Sequence, residues 1–214
     1  MQIPEHIGVI PDGNRRWAQK QGLNKEKGYS YGLKPGLELF KLCNEAGVKE
    51  LTYYGFTMDN TKRRNVQTEA FTQACIDAVK MLAQEDASLL VVGNTESPKF
   101  PDELLPYTTR KTFGQGGIKV NFLVNYGWHW DLSSLRQSEK SSKKALINSL
   151  KSKDISRIDL IIRWGKRRRL SGFLPAQSVY SDLYIVDEYW PNFKAEHFYA
   201  ALDWYSKQDI TLGG

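Results

Sequence analysis

Apolar and polar positions alternate along this chain in blocks, and the blocks predict strands and helices in turn. Ile7, Val9 and Ile10 form a short apolar run, long enough for one buried strand and no more. Pro11-Asp12-Gly13-Asn14 stops that run with turn-forming residues. Arg15 to Lys20 then suits a helix start. Leu33, Leu37, Phe40, Leu42 and Cys43 recur at roughly helical spacing over 31–46, with Gly47 as the stop. Leu51 to Thr57 is rich in aromatic and β-branched residues, hence a strand, and it runs into a polar loop from Asp59 to Asn65. Phe71, Cys75, Ile76, Val79 and Leu82 predict a helix over 68–84. Leu89–Gly93 and Ile118–Val124 read as strands, with a loop and a helical turn over 96–106 between them. Residues 133–153 are rich in lysine and serine and read as a surface helix or a loose connection. Ile158–Ile162 is a strongly apolar strand ending at Arg163. Phe173–Tyr180 reads as a helix or turn, Leu183–Val186 as a strand, Trp190–Phe193 as a turn and Ala195–Lys207 as a last helix. Strands alternating with helices predict a mainly parallel α/β sheet. No repeat or linker divides the chain, so one domain over 1–214 is expected.

Composition narrows the setting. A hydrophobic content of 41% in 214 residues is enough for a large core. No run approaches the roughly 18 apolar residues of a membrane span, and no signal peptide precedes His6, so a soluble protein is expected. The two cysteines, Cys43 and Cys75, fall in helical segments, which argues against a disulfide framework and for a reducing cytoplasm. A net charge of +6 favours acidic partners: phosphates, nucleic acid or an anionic membrane surface.

Three loops share a pattern. Asp12–Arg16, Asn60–Arg64 and Arg163–Ser171 each follow a predicted strand, and each is polar and carries arginine. In a parallel sheet such loops converge on one edge, where ligands sit. Converging arginines with few carboxylates describe a polyanion site. Asp12 beside Arg15 and Arg16 suggests a metal ion together with a phosphate-bearing ligand. The plainer alternative is a capped helix with solvated arginines. A nucleic-acid site on Lys166–Arg169 would want exposed aromatics between the cations; only Trp164 is at hand, so nucleic acid is not the expected partner. His6, His129 and His197 are isolated and read as structural.

HIGVIPDGNRRWA, LTYYGFTMDNTKRR, VNFLVNYGWHWD and IDLIIRWGKRRRLSGFLPAQSVYSDLYIVDEYWPNF occur in that order. Together they resemble the signatures of the cis-prenyltransferases, the undecaprenyl diphosphate synthase family. The resemblance implies a mostly parallel six-stranded sheet flanked by helices, an apolar tunnel for a prenyl chain, a homodimer and Mg²⁺. It also implies prenyl diphosphate substrates, joined by extending an allylic diphosphate with isopentenyl diphosphate. By the same resemblance Asp12 carries Mg²⁺ and handles the allylic diphosphate, and Gly13, Asn14 and Arg16 wrap that diphosphate. Trp17 matches the aromatic at the tunnel mouth. Asn60 matches a proton-handling asparagine, Arg63 follows it, and Thr57 and Asp59 flank it as substrate-binding candidates. Arg163, Arg169 and Ser171 match the isopentenyl diphosphate site. Asp182 stands where a glutamate helps to hold Mg²⁺.

This chain also departs from the family pattern. Arg15 replaces a usual glycine, Tyr29 a phosphate-contacting histidine, Lys25 an arginine and Thr61 a tryptophan. Lys166 and Arg167 replace the usual Gly-Glu, giving four consecutive cations to Arg169, and Trp128 replaces a glycine. Ile210–Gly214 lacks the family's terminal Arg-x-Gly, with Thr211 near the missing arginine. The expected activity is cis-prenyl chain elongation. The alternatives are irregular or short-chain coupling of small allylic diphosphates, and a non-catalytic partner subunit, which would usually have lost Asp12. A peripheral contact with a membrane surface is compatible with the charge.

Overall fold

In the computed structural model, which describes residues 2–137 and 142–209, the alternation becomes one seven-stranded sheet. The strands are β1 (His6–Ile10), β2 (Glu50–Tyr54), β3 (Ala87–Val92), β4 (Lys111–Phe113), β5 (Ile118–Leu123), β6 (Leu160–Trp164) and β7 (Asp182–Val186). Their order across the sheet is β4-β3-β5-β2-β1-β6-β7. All neighbours pair in parallel except β3 and β4. The expected sheet had six strands. The seventh, β4, is a three-residue antiparallel edge strand whose Lys111 and Thr112 are exposed, so it carries no apolar alternation to read.

The helices are α1 (Asn14–Lys20), α2 (Leu33–Glu45), α3 (Asn65–Leu82), α4 (Trp128–Leu132), α5 (Lys143–Ser149) and α6 (Ala195–Tyr205). Between α1 and α2 a 3-10 segment, Lys25–Gly32, replaces the helix start expected at Tyr31. The lysine- and serine-rich stretch forms a 3-10 turn, Ser133–Gln137, and then α5; residues 138–141 within it lie outside the described residues. Phe173–Tyr180 is a series of turns rather than a helix.

Strand periodicity sorts the core onto two faces. Ile7, Val9, Leu51, Val120, Phe122, Leu160 and Ile162 meet Leu39 and Phe40 of α2, Cys75 and Val79 of α3, and Phe198 and Leu202 of α6. The other face, with Ile10, Tyr54, Leu123 and Ile161, is covered by turns carrying Ile158, Phe173 and Leu174. Gly8 lies on that second face because Phe173 fills its space: a Cβ there would sit 2.5 Å from the ring.

The chain order sets the crevice. From β1 the path moves to β2 on one side, then returns through β6 on the other. The loops after β1, β2 and β6 therefore meet at one sheet edge, beyond the carboxyl ends of the strands, where such folds bind ligands.

Candidate active site

Asp12 follows β1 directly and its carboxylate is held from two sides. Arg16, one turn along α1, reaches Oδ1 at 3.2 Å, and Arg163 on β6 donates to Oδ2 at 2.8 Å. The Asp12 side chain keeps 31% of its exposure, whereas the Arg163 side chain keeps only 4%. Arg163 also donates to Ser171 Oγ at 3.0 Å and to the Arg169 carbonyl. One buried guanidinium thus ties the β1 loop to the β6 loop across 151 residues of sequence. Its Nε is buried without a partner, as is Asn14 Oδ1. Such groups are uncommon in native interiors and mark places built for another contact.

Backbone geometry shapes both loops. Gly13 precedes α1 at φ 107°, and a Cβ there would lie 2.6 Å from the Tyr189 ring. Gly165, at φ 88°, leaves no room for a side chain beside the Arg16 guanidinium, 2.7 Å from its would-be Cβ. Lys166 (φ 68°) and Ser171 (φ 55°) adopt left-handed backbone without being glycine. Such residues concentrate at functional loops. Tyr54 of β2 braces this loop by donating to the Ser171 carbonyl at 2.7 Å, and burial pushes its phenol well above the ordinary range.

The β2 loop supplies the opposite wall. Asn60 Oδ1 accepts the Thr57 N–H at 3.1 Å, closing the short 3-10 turn Met58–Lys62. Arg63 donates to the Tyr29 hydroxyl at 3.1 Å, and the Tyr29 ring stacks on Phe71 at 4.4 Å. Burial raises the Tyr29 phenol and lowers the Arg63 guanidinium, but both keep their ordinary protonation near neutrality. Arg15 donates to Gln67 Oε1 at 3.2 Å. Asp59, exposed, is held ionised by the Lys62 ammonium at 2.8 Å, which lowers its carboxyl.

These groups surround a basin of about 460 Å³. Asp12, Gly13, Asn14, Arg15, Arg16, Lys25, Tyr29, Thr57, Asp59, Asn60, Arg63, Arg163, Arg167, Arg169 and Ser171 all line it. Seven of these are cations and only Asp12 and Asp59 are acids, so the field favours a multiply charged anion. At Tyr29, Asn14 and Phe71 the basin continues into a narrow apolar cleft of about 80 Å³ between α2 and α3.

Two expected residues lie elsewhere. Trp17 turns away from the basin: its indole donates to Asn192 Oδ1 at 2.7 Å and its ring packs on Tyr31 at 4.6 Å. The aromatics where the basin meets the cleft are Tyr29 and Phe71 instead. Asp182 opens β7 opposite Leu160 at the start of β6, the far end of the sheet from Asp12. Within one chain the two carboxylates do not share a site, and Asp182, raised by burial, has no part in the basin. The expected tunnel is this small cleft. The altered end near Thr211 lies outside the described residues. Gln19 and Tyr54 also line the basin, and Trp190 the cleft, without having been singled out. For Gln19 the signal was present, one helical turn after Arg15 and Arg16 on the same short helix.

A strand-end basin of cations around one clamped carboxylate, opening on an apolar cleft, fits a diphosphate bearing a hydrocarbon tail. A family model described as "Putative undecaprenyl diphosphate synthase" matches residues 10–213. A ditrans,polycis-undecaprenyl-diphosphate synthase of Buchnera aphidicola, described as farnesyl-diphosphate specific, is 31% identical over 98% of this chain and 91% of its own length. An isoprenyl transferase of Bacillus subtilis is 31% identical over 100% and 88%. The fold matches lavandulyl diphosphate synthase from Lavandula x intermedia, crystallised with dimethylallyl diphosphate, at TM-score 0.86 and 20% identity over 99% and 98%. The chain belongs to the undecaprenyl diphosphate synthase family. It is a prenyl transferase of the cis-prenyltransferase type.

Proposed function

We propose that this enzyme joins an allylic prenyl diphosphate to isopentenyl diphosphate in a Mg²⁺-dependent reaction and releases diphosphate. The observation that carries the reading is the convergence of Asp12, Arg16, Arg163, Arg169 and Ser171 on one basin next to an apolar cleft. The allylic C1–O bond breaks and its electron pair leaves with the diphosphate. The acceptor's double bond attacks C1, and the new cation loses a proton. A diphosphate oxygen is the strongest base in this basin. Asn60, an amide and a weak base, contributes by orienting that oxygen. Arg16 and Arg63 offset the charge growing on the leaving diphosphate, and Arg163 and Arg169 hold the acceptor's diphosphate. Preorganised cations of this kind act on the transition state without reorganising.

Asp12 fits a divalent cation of this type. Mg²⁺ is ordinarily held by one or two carboxylates plus substrate phosphates rather than by a protein cage. The described residues contain no cluster of three or more His, Cys, Asp or Glu, so any ion would be held through Asp12 and the substrate's oxygens. When bound, Mg²⁺ supplies Lewis-acid stabilisation of the departing diphosphate. Asp59, on the basin wall, is the nearer second carboxylate than Asp182.

We also place the enzyme in the cytoplasm as a homodimer. No helix among the described residues is long and apolar enough to cross a membrane. Exposed Trp128 and Val179, 50% and 65% accessible, border a hollow with Leu170 and Phe173 that a second copy would cover. Contact of the basic surface with an anionic membrane belongs to the same reading. The small cleft favours a second reading, coupling of two small allylic diphosphates. Incubation with Mg²⁺ and each pair of short prenyl diphosphates, with mass analysis, separates the two. Diphosphate release with no prenylated product from any pair would overturn both.

A further inference from the structure

We infer that the apolar cleft admits one five-carbon isoprenyl group, and that Tyr53 is the residue that stops a longer tail. This rests on the diphosphate reading of the adjoining basin and adds the tail length. Two measures of the cleft disagree, and the disagreement is informative. Along α3 the lining runs from Phe71 to Leu82. Eleven residues at 1.5 Å rise span roughly 16 Å, length enough for a tail of several isoprene units. The void itself is only about 80 Å³. A cavity of about 150 Å³ holds one benzene ring. At about half that volume the cleft takes a five-carbon group only with side-chain adjustment, and each further isoprene unit demands more of it. Width, not length, is limiting.

Tyr53 supplies the constriction. It stands on β2 and faces the cleft, and its hydroxyl donates to the Gly36 carbonyl of α2 at 2.6 Å. The ring thereby spans the gap between sheet and helix. Phe122, paired with Tyr53 across β2 and β5, stacks on it at 5.3 Å and 18°. Both rings are buried in the main core. Swinging Tyr53 aside would break the stack and leave a buried hydroxyl without its acceptor, so the bar is stiff. The rest of the lining includes small residues, and Gly32, Gly36, Ala74 and Ala78 leave width for one branched five-carbon group.

The test separates tail length from turnover. Non-hydrolysable thiolodiphosphates with tails of five, ten and fifteen carbons are titrated into the wild type by calorimetry, with inorganic diphosphate as reference, and the matching substrates are assayed with Mg²⁺. The five-carbon compound should bind at least tenfold more tightly than inorganic diphosphate, with no further gain at ten or fifteen carbons. The ratio kcat/KM should fall at least tenfold from five to ten carbons. Tyr53→Ala should move the preference to ten carbons. Tyr53→Leu, which keeps an apolar side chain but removes the ring and its hydroxyl bridge to Gly36, should move it in the same direction and serves if Tyr53→Ala does not fold. Affinity that climbs steadily from five to fifteen carbons in the wild type, or an unchanged length preference in a folded, opened variant, would overturn the inference. A five-carbon preference in binding with no turnover of any donor would support it and count against prenyl transfer alone.

Discussion

Asp12 does two jobs whose energetics differ. Its carboxylate faces the basin, and it also neutralises Arg163, which is 3% exposed. Removing one partner of a buried pair leaves an uncompensated charge, a cost of about 3–5 kcal/mol when both are buried. Asp12 is a third exposed, so the expectation here is smaller, roughly 1–3 kcal/mol. Asp12→Ala should therefore lower both stability and turnover, whereas Asp12→Asn keeps the shape and isolates the chemistry. We expect Asp12→Asn to remain folded and to lose about a thousandfold in rate, near 4 kcal/mol of barrier. Retention of more than roughly a tenth of the wild-type rate, under 1.4 kcal/mol, would remove Asp12 from the mechanism. A second prediction concerns Arg167, which lines the basin while Lys166 does not. Arg167→Glu should weaken diphosphate analogue binding, by about 1–4 kcal/mol for a partly screened charge reversal; unchanged affinity in calorimetry would mean that its guanidinium serves only the surface. Asp12, its arginines and the cationic loop were legible in the sequence because each sits beside its own strand end. The Asp12–Arg163 clamp was not, because its partners lie 151 positions apart and only strand order joins them. The position of Asp182 was not legible for the same reason: a motif match fixes sequence position, and only the strand pairing puts this residue at the end of the sheet opposite Asp12 within one chain.

Helices and strands read well where one face is buried. The periodic apolar positions of α2 and α3 fell on the helices found, within a few residues at the ends. The 3-10 segment Lys25–Gly32 did not, because its buried residues, Gly28 and Tyr29, carry no helical period. Yet that segment brings Tyr29 to the junction of basin and cleft. Gly36 shows the opposite case, an element position whose residue disagrees with local preference. It lies inside α2, and a Cβ there would meet nothing within 4 Å. Glycine in a helix costs about 0.5–1 kcal/mol relative to alanine. Gly36→Ala should therefore stabilise the fold, raising Tm by roughly 1–4 °C for a domain of this size. The added methyl is about the size of a water molecule, whose share of liquid volume is ~30 Å³, and it enters a void of about 80 Å³. Stability should rise while KM for the allylic substrate rises severalfold. A variant that is more stable with unchanged KM would show that the space at Gly36 is not used by the tail.

At the scale of the molecule, the two ends of the sheet do different things. The carboxyl ends of the strands carry the basin. The amino ends, on the same face, carry a buried polar network. His6 Nε2 lies 2.8 Å from Thr52 Oγ1, and Nδ1 faces the Ser156 and Arg157 carbonyls at 3.2 and 3.1 Å. Glu50 accepts from Ser156 Oγ at 2.6 Å and from Asn121 Nδ2 at 2.7 Å, and Arg110 donates to Asn121 Oδ1 at 2.7 Å. The sequence suggested only that His6 was structural; the network needs residues from five separate segments, so no local pattern could announce it. Its protonation makes a prediction. Burial lowers His6 below its ordinary 6.5, against the raising influence of Glu50 and Asp159. The unfolded chain therefore binds this proton more readily than the folded one. Stability from His6 is complete above about pH 6.5 and is lost as pH falls below it toward the depressed folded value. Burial alone would raise Glu50, but the His6 charge and the Ser156 and Asn121 hydrogen bonds outweigh it, leaving Glu50 lowered. A depressed carboxyl also loses stability as pH falls, so the two groups act in one direction. Unfolding midpoints in denaturant should drop between pH 7 and pH 5, and His6→Gln, which cannot titrate, should flatten that part of the curve. The same slope in wild type and His6→Gln would assign the acid sensitivity to other groups. Turnover measured well below the unfolding midpoint should not share the His6 transition, because His6 and Asp12 stand at opposite ends of β1.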